Sequence, residues 1–478
     1  MTLPLFMPAI AEIFLAASAL LVVVFGAFSK TRDVNRWSRA AAIALIGALI
    51  LAVKKYDGAV TTFSNMFIQD NLALVFKGII GVGSLMGLAL ATPYFNRRNE
   101  NKFEYPLLIL LATVGMFGMV SANDFLSLYV SLELQSLSLY ILASFHRDER
   151  LSAEAGLKYF FLGALSSGIL LYGISLLYGY TGSTSYLTIA NTFAASETIN
   201  PAAIIGLVMV LSGIGFKISA APFHMWSPDV YQGAPTPVTA LFAMAPKAAS
   251  IGVLCRLITG PLSLVFEQSQ QILIALSVIS MAVGSFAAIA QQNVKRLMAY
   301  SSIGHVGFIL LALCAGDTAG IRTAVFYTVT YIVMSVGAFA TILAVYDGRE
   351  GDEKMVYLSG LAKRQPILAA SFATILLSMA GIPPMVGFFS KLYVFSVALK
   401  ADLLWLVVLG VLFSVVSAYY YLRMIKIMYF DAVQEEAPAI VLPWMWFNLA
   451  VISALLNIIM LVFPEPLSHL AAWASQLR

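Results

Sequence analysis

Residues 211–238, LSGIGFKISAAPFHMWSPDVYQGAPTPV, decide how this chain is read. An apolar helix-forming run carries a lysine, Lys217, midway along the segment 201–234, and a cluster of helix breakers follows at once. Proline lacks the backbone donor and clashes with the preceding turn, so Pro222, Pro228 and Pro235 interrupt the helix. A charge at mid-membrane depth costs on the order of 2.5–3.5 kcal/mol even on the lenient insertion scale. That depth is implied by composition. Of 478 residues, 60% are hydrophobic and 11% charged, with mean hydropathy +0.88. A soluble globular chain would be roughly 25% charged.

Working outward, apolar blocks recur at the length of about 20 residues that crosses a hydrocarbon core of about 30 Å. Fourteen spans are expected, at 8–29, 38–54, 70–95, 104–121, 124–145, 156–180, 201–234, 236–257, 270–290, 297–315, 320–346, 365–399, 403–430 and 441–463. The N-terminal stretch lacks the basic region and cleavage site of a signal peptide and reads as a retained first span. A second broken segment, SMAGIPPMVGFF at 378–389, matches the first in kind. Paired interrupted segments are the sequence signature of a transport site between repeats. The expected fold is therefore an all-α polytopic membrane protein with two inverted five-helix repeats, each containing a broken helix. The repeats are placed at 104–258 and 268–430, flanked by 1–103 and 441–478. The lysine register differs between them, because Lys217 precedes its break and Lys391 follows its own.

Charge placement predicts orientation, since cytoplasmic loops are rich in Lys and Arg. With the N-terminus outside, 17 basic residues fall in cytoplasmic loops, including Lys30, Arg32, Arg36, Arg39, Arg97 and Arg98. Six fall outside, among them Lys54, Lys55, Arg256 and Arg478. Both termini are then periplasmic. Five lysines lie inside spans: Lys77, Lys158, Lys217, Lys247 and Lys391.

Two cysteines, Cys255 and Cys314, are too few for an iron–sulfur cubane, which takes four. His146, His224, His305 and His469 show no metal or haem spacing, and no glycine-rich phosphate loop follows a strand pattern. The chain is expected to hold no metal and no redox cofactor.

Glu133 lies almost midway along 124–145. Tyr129, Glu133, Ser136 and Tyr140 recur at i, i+4, i+7 and i+11, which makes one polar stripe. A carboxylate near an ammonium strengthens its hold on the proton, and burial weakens it. Movement of Glu133 relative to Lys217 would thus act as a switch; the alternative is a static ion pair joining two helices. Lys247 sits at the centre of 236–257 behind Pro246, where a kink frees carbonyls. His305 is near the centre of 297–315, beside Tyr300, Ser301 and Ser302. Lys391 suits a terminal group facing an exit, or a side chain snorkelling to the headgroups. Lys158 near a span end allows either proton uptake or snorkelling. Asp229 and Glu104 read as cap or loop carboxylates, and Lys77 as a lysine with no evident partner.

Three stretches then carry a resemblance. PFHMWSPDVYQGAPTPVTALFAMAPKAA at 222–249, NVKRLMAYSSIGHVGF at 293–308 and GIPPMVGFFSKLYVF at 381–395 resemble the antiporter-like membrane subunits shared by respiratory complex I and Mrp-type cation/proton antiporters. The resemblance spans about residues 5–465 and favours the N-type group of NADH-quinone oxidoreductases. The chain lacks a long lateral helix after its last span, has Lys391 where M-type members carry glutamate, and has the N-type wording GIPPMVGFFSK. It implies a proton relay on Glu133, Lys217, Lys247 and Lys391, supported by His305, Lys158 and Lys295. Lys295 lies at the cytoplasmic end of its span.

The resemblance also implies a translocase subunit in a bacterial inner membrane. FMN, Fe–S clusters, NADH and quinone would be held by other subunits, and the partners would be neighbouring membrane-arm subunits and lipids, with no nucleic acid. An Mrp-like Na⁺/H⁺ antiporter would use the same lysines, and a scaffold with buried ions is a third reading.

Overall fold

The computed structural model describes residues 6–29, 34–54, 56, 58–100, 102–196, 200–349, 351–434, 440 and 442–476. Lys30, Arg32, Lys55 and Arg478, which contribute to the charge bias, lie outside the described residues, as does Val441 at the expected start of the last span.

Three helices precede the repeats: α1 (Ile10–Phe28), α2 (Val34–Lys54) and α3 (Asn71–Arg97). The first repeat comprises α4 (Glu104–Ser121), α5 (Phe125–Ala143), α6 (Arg150–Thr181), a short α7 (Tyr186–Ala195), the broken pair α8 (Pro201–Ile218) and α9 (Trp226–Gly233), and α10 (Thr236–Thr259). The second follows the same order. It comprises α11 (Phe266–Ile289), α12 (Val294–Leu313), α13 (Thr318–Tyr346), a short α14 (Leu361–Arg364), the broken pair α15 (Pro366–Ala380) and α16 (Val386–Lys400), and α17 (Leu404–Phe430). The chain continues with α18 (Trp444–Val462) and a short α19 (Glu465–Ala474).

Among the described residues twelve helices are long and apolar enough to cross a membrane, and the two broken pairs supply the remaining expected crossings. Five crossings per unit reverse the direction of the second repeat relative to the first. Among the described residues the all-α expectation holds apart from one antiparallel hairpin, β1 (Val60–Thr62) and β2 (Phe67–Gln69), between α2 and α3.

Helix starts follow from their caps. Asp70, Asp124, Asn293 and Asp317 each accept a backbone N–H of the first turn of α3, α5, α12 and α13. Such caps satisfy donors that the helix itself cannot. The breaks have local causes as well. α8 ends at Ser219 (φ +61°) and α15 at Gly381 (φ +79°), both left-handed residues that stop the i→i−4 ladder.

Helix position follows composition. α10 is apolar around its circumference and is buried from Thr236 to Ile258, packed among α3, α4 and α13. α12 and α13 are nearly as enclosed. α1, α2, α6, α17 and α18 instead present Leu20, Phe25, Ile43, Phe161, Val415 and Ile452 to the surroundings. Without a hydrophobic drive between lipid-bathed helices, small residues allow close packing. At the α11–α12 crossing, a Cβ on Gly284 would lie 2.4 Å from the Gly304 nitrogen, so only glycine allows that approach.

Candidate proton-relay site

The polar stripe of α5 faces the end of α8. The Lys217 ammonium donates to Ser136 Oγ at 2.7 Å and to Tyr140 OH at 3.4 Å, two members of the stripe read from sequence. Glu133, half-buried on the same helix, accepts from Ser167 of α6. Among the described residues no ion pair within 4.0 Å joins Glu133 to Lys217. The static pair weighed from sequence is therefore not the arrangement found.

Lys247 is buried on α10 and donates to Ser302 Oγ of α12, which also accepts from Tyr331 OH of α13 at 2.7 Å. One turn along α12, His305 lies between two phenols, with Nδ1 2.9 Å from Tyr327 OH and Nε2 3.1 Å from Tyr421 OH. Tyr421 OH in turn is 2.5 Å from Ser301 Oγ. Lys391 donates to the Ala380 carbonyl at 2.8 Å and to Ser414 Oγ at 2.9 Å, and its ammonium sits 4.9 Å from the Phe308 ring centre.

The register difference between the two broken helices largely disappears in space. Lys217 occupies the last turn of α8, and Lys391, though it follows the break, reaches back to the last carbonyl of α15. Both ammoniums thus sit at the C-terminal end of the first half-helix of their repeat.

Between Lys217 and Lys247 stand aromatic rings. Tyr140 packs on Tyr159 (4.8 Å between centres), Tyr159 stacks on Trp226 (4.3 Å), and Trp226 touches Tyr231 (6.4 Å). Lys247 lies 5.6 Å over the Tyr231 ring. Among the described residues no protein hydrogen bond bridges these two lysines, so a proton crossing here needs water or ring movement.

The supporting residues occupy a different setting. Lys158 pairs with Asp229 at 2.6 Å and Glu154 at 2.8 Å, and Arg296 holds the other Asp229 oxygen at 2.5 Å. Asp229, in the first turn of α9, is thus also an ionic hub joining α6 and α12, which the cap or loop role expected does not include. Glu104 opens α4, as expected of an acid in a first turn. Lys295, second residue of α12, pairs with Glu353 at 2.9 Å and donates to the Ala234 carbonyl at 3.0 Å, with both side chains essentially inaccessible. Lys77 is not partnerless. Its ammonium pairs with Glu12 of α1 at 2.6 Å and also reaches Gln69.

Sequence reasoning missed Glu353, Tyr327, Tyr331, Tyr421 and Ser414. The i, i+4 spacing of Tyr327 and Tyr331 inside an apolar helix was an available signal. Glu353 lies in a loop far from α12 and gives no local sign.

Three comparisons bear on this arrangement. The family model of the NADH:quinone oxidoreductase/Mrp antiporter transmembrane region matches residues 122–417. NADH-quinone oxidoreductase subunit N of Paramagnetospirillum magneticum is 47% identical over 476 residues, covering 98% of this chain and 97% of the relative. The subunit N of Rhodospirillum rubrum is 47% identical over 437 residues, covering 91% and 89%. Among solved structures, a chain of respiratory complex I from Thermus thermophilus with bound aureothin superposes with a TM-score of 0.83 at 32% identity, covering 97% of this chain and 99% of that one. A chain of the Mrp complex from Dietzia gives a TM-score of 0.84 at 21% identity, covering 98% and 97%, and so shares the fold. The chain, a multi-pass bacterial membrane protein, belongs to the NADH:quinone oxidoreductase/Mrp antiporter family, and within it to the N subunits of NADH-quinone oxidoreductases.

Proposed function

We propose that this chain is a proton-translocating membrane-arm subunit of an NADH-quinone oxidoreductase, and that Lys217, Lys247, His305 and Lys391 form its relay. One observation carries the reading. Three buried lysines, Lys217, Lys247 and Lys391, have hydroxyls and carbonyls as partners, and no carboxylate lies within 4.0 Å of any of them among the described residues. An ammonium so placed can release its proton without leaving an orphaned buried anion, and a hydroxyl can both accept and donate.

The proton passes from Lys217 past the aromatic rings to Lys247. From there it moves to Ser302, which accepts from Tyr331 OH at 2.7 Å. Water or side-chain movement then carries it to His305, whose ring nitrogens lie 2.9 and 3.1 Å from Tyr327 OH and Tyr421 OH, and on to Lys391. Glu133 acts as the modulator of Lys217. Lys158, with Asp229, suits uptake from the cytoplasmic side, and Lys295 supports the end of α9 through the Ala234 carbonyl. Both termini face the periplasm in this reading, which takes residues 104–258 and 268–430 as the two repeats. NADH oxidation and quinone reduction take place on other subunits, which hold the FMN, Fe–S clusters and quinone. Neighbouring antiporter-like and small membrane-arm subunits are the partners.

Proteoliposomes containing the whole complex provide the test, with proton uptake followed during NADH oxidation. Lys217→Ala is expected to reduce coupled pumping by about tenfold or more, equivalent to about 1.4 kcal/mol or more, with the complex still assembled. Wild-type pumping in that variant would remove the relay. If the tagged chain purifies without NADH-oxidising or quinone-reducing activity, the assignment to that complex falls instead.

A further inference from the structure

A groove of about 750 Å³ runs between α2, α3 and the start of α18, away from the relay. Its lining is graded along the axes of α2 and α3. On α2 the residues Asn35, Arg39, Ala42 and Ile46 follow one another at helical spacing, and on α3 Asn96, Thr92, Ala89 and Leu85 do the same in the reverse direction. The polar members gather at one mouth of the groove and the apolar members continue inward. Seven residues of helix separate Arg39 from Ile46, about 10 Å of depth.

The walls are fixed. Across the mouth Asn35 Nδ2 donates to Asn96 Oδ1 at 3.1 Å and Asn96 Nδ2 donates to Asn35 Oδ1 at 2.6 Å, and buried Trp446 ties α18 to the Leu90 carbonyl of α3 at 2.9 Å. Small side chains, Ala42 and Ala89, leave the space open.

Among the described residues that line the mouth, charge has one sign. Arg39 is exposed, its Nε engages its own helix at the Asn35 carbonyl at 3.2 Å, and no carboxylate pairs with it among the described residues. No Asp or Glu is among the groove-lining residues. Trp444, 70% exposed, stands at the same level, the position of an aromatic belt residue at a headgroup boundary.

We propose that this groove binds an anionic phospholipid, with its phosphate on Arg39 and the Asn35–Asn96 mouth and one acyl chain along Ala42, Ile46, Leu85 and Ala89. A guanidinium offers paired donors that match phosphate oxygens. The graded lining matches a molecule that is anionic at one end and aliphatic at the other. A transmembrane helix of a partner subunit would bring no anionic group to the exposed guanidinium of Arg39, whereas a lipid phosphate does. A second cavity, of about 420 Å³, is a built-in contrast. Val53, Val75, Ile79, Ile332 and Trp473 line it without any charged side chain, so it has nothing that selects a headgroup. The lipid site is independent of the proton relay.

The test uses the protein purified with its bound partners in nanodiscs of mixed phosphatidylglycerol and phosphatidylcholine, with either lipid carrying a photoactivatable acyl chain. The phosphatidylglycerol probe is expected to label the Met86 region several-fold more than the phosphatidylcholine probe, while the second cavity shows no headgroup preference. Arg39→Gln, at an exposed position, should abolish that preference and leave residual labelling equal for the two probes. Ala42→Trp should remove labelling by both. Equal labelling of the wild type, or an unchanged preference in Arg39→Gln, overturns the proposal. So does a photo-crosslinker at position 42 that captures another subunit's helix instead of lipid.

Discussion

Two sets of buried cations share this molecule and are treated in opposite ways. Toward the helix ends, Lys77, Arg256 and Lys295 are each matched by a carboxylate. Glu12 pairs with Lys77, Asp70 grips Arg256 through two bonds of 2.8 and 2.9 Å, and Glu353 pairs with Lys295. In the interior, Lys217, Lys247 and Lys391 meet serine hydroxyls, a tyrosine and a carbonyl. A paired buried cation is bound to its charge, because losing it strands the partner anion. An unpaired one pays desolvation while charged and little while neutral. The first set holds helices together; the second has the chemistry to change state.

The largest effect should come from breaking an end pair. Removing one partner of a buried pair costs about 3–5 kcal/mol. Glu353→Ala should therefore deplete the assembled complex on native gels, whereas Lys295→Met combined with Glu353→Leu should restore much of it. If Glu353→Ala assembles fully and only pumping fails, the division between the two sets is wrong.

Next in size is the conversion of an interior lysine to the end type. Ser302→Asp would give Lys247 a counter-ion. Assembly should persist, and coupled pumping should fall by about tenfold, or about 1.4 kcal/mol of barrier. Normal pumping would mean that Lys247 need not lose its charge.

Tyr421→Phe removes the hydroxyl shared by His305 and Ser301. An unsatisfied buried group costs about 1–3 kcal/mol, so pumping should drop a few-fold, with a smaller loss of thermal stability. An unchanged pumping rate would move the route off Tyr421.

The smallest effect belongs to the loops. The His146 imidazole, 3.1 Å from Glu100, holds the Glu100 carboxyl below its usual range. A carboxylate with a depressed folded-state value stabilises above its unfolded value of 4.5 and loses that contribution as pH falls through the folded one. Glu100→Gln should cost under about 1 kcal/mol at neutral pH, because the group is partly exposed. The difference from wild type should shrink in thermal melts below pH 4.5. A constant difference across that range would show that the charge is irrelevant.

Much of this contrast was written in the sequence. The price of a charge in an apolar run singled out Lys217, Lys247 and Lys391, and the prolines near 222 and 383 marked both breaks. Helical periodicity also put Tyr129, Glu133, Ser136 and Tyr140 on one face of α5, but it pointed to Glu133 as the partner of Lys217, where the structure has Ser136 and Tyr140. Partners from other helices were hidden, since periodicity says nothing of which faces meet. Glu12 lies on α1 and Lys77 on α3, and Glu353 sits in a loop beyond α13, so those pairs become visible only when the helices are packed. The ionic role of Asp229 was hidden for the same reason: its two cationic partners come from α6 and α12.

Lys391 rests on the Ala380 carbonyl, at the end of α15. The aligned peptide dipoles of a helix leave roughly half a negative charge at that end. This half charge cannot titrate. The local site therefore swings between about +½ and −½ as the lysine gains and loses its proton, instead of between a full charge and none. The half charge offsets part of the lysine's charge locally, but it is fixed, so the proton that passes still does the work of a full charge against the membrane voltage. The broken helix would then be a device that cushions the charge at its resting place without altering the work of the crossing.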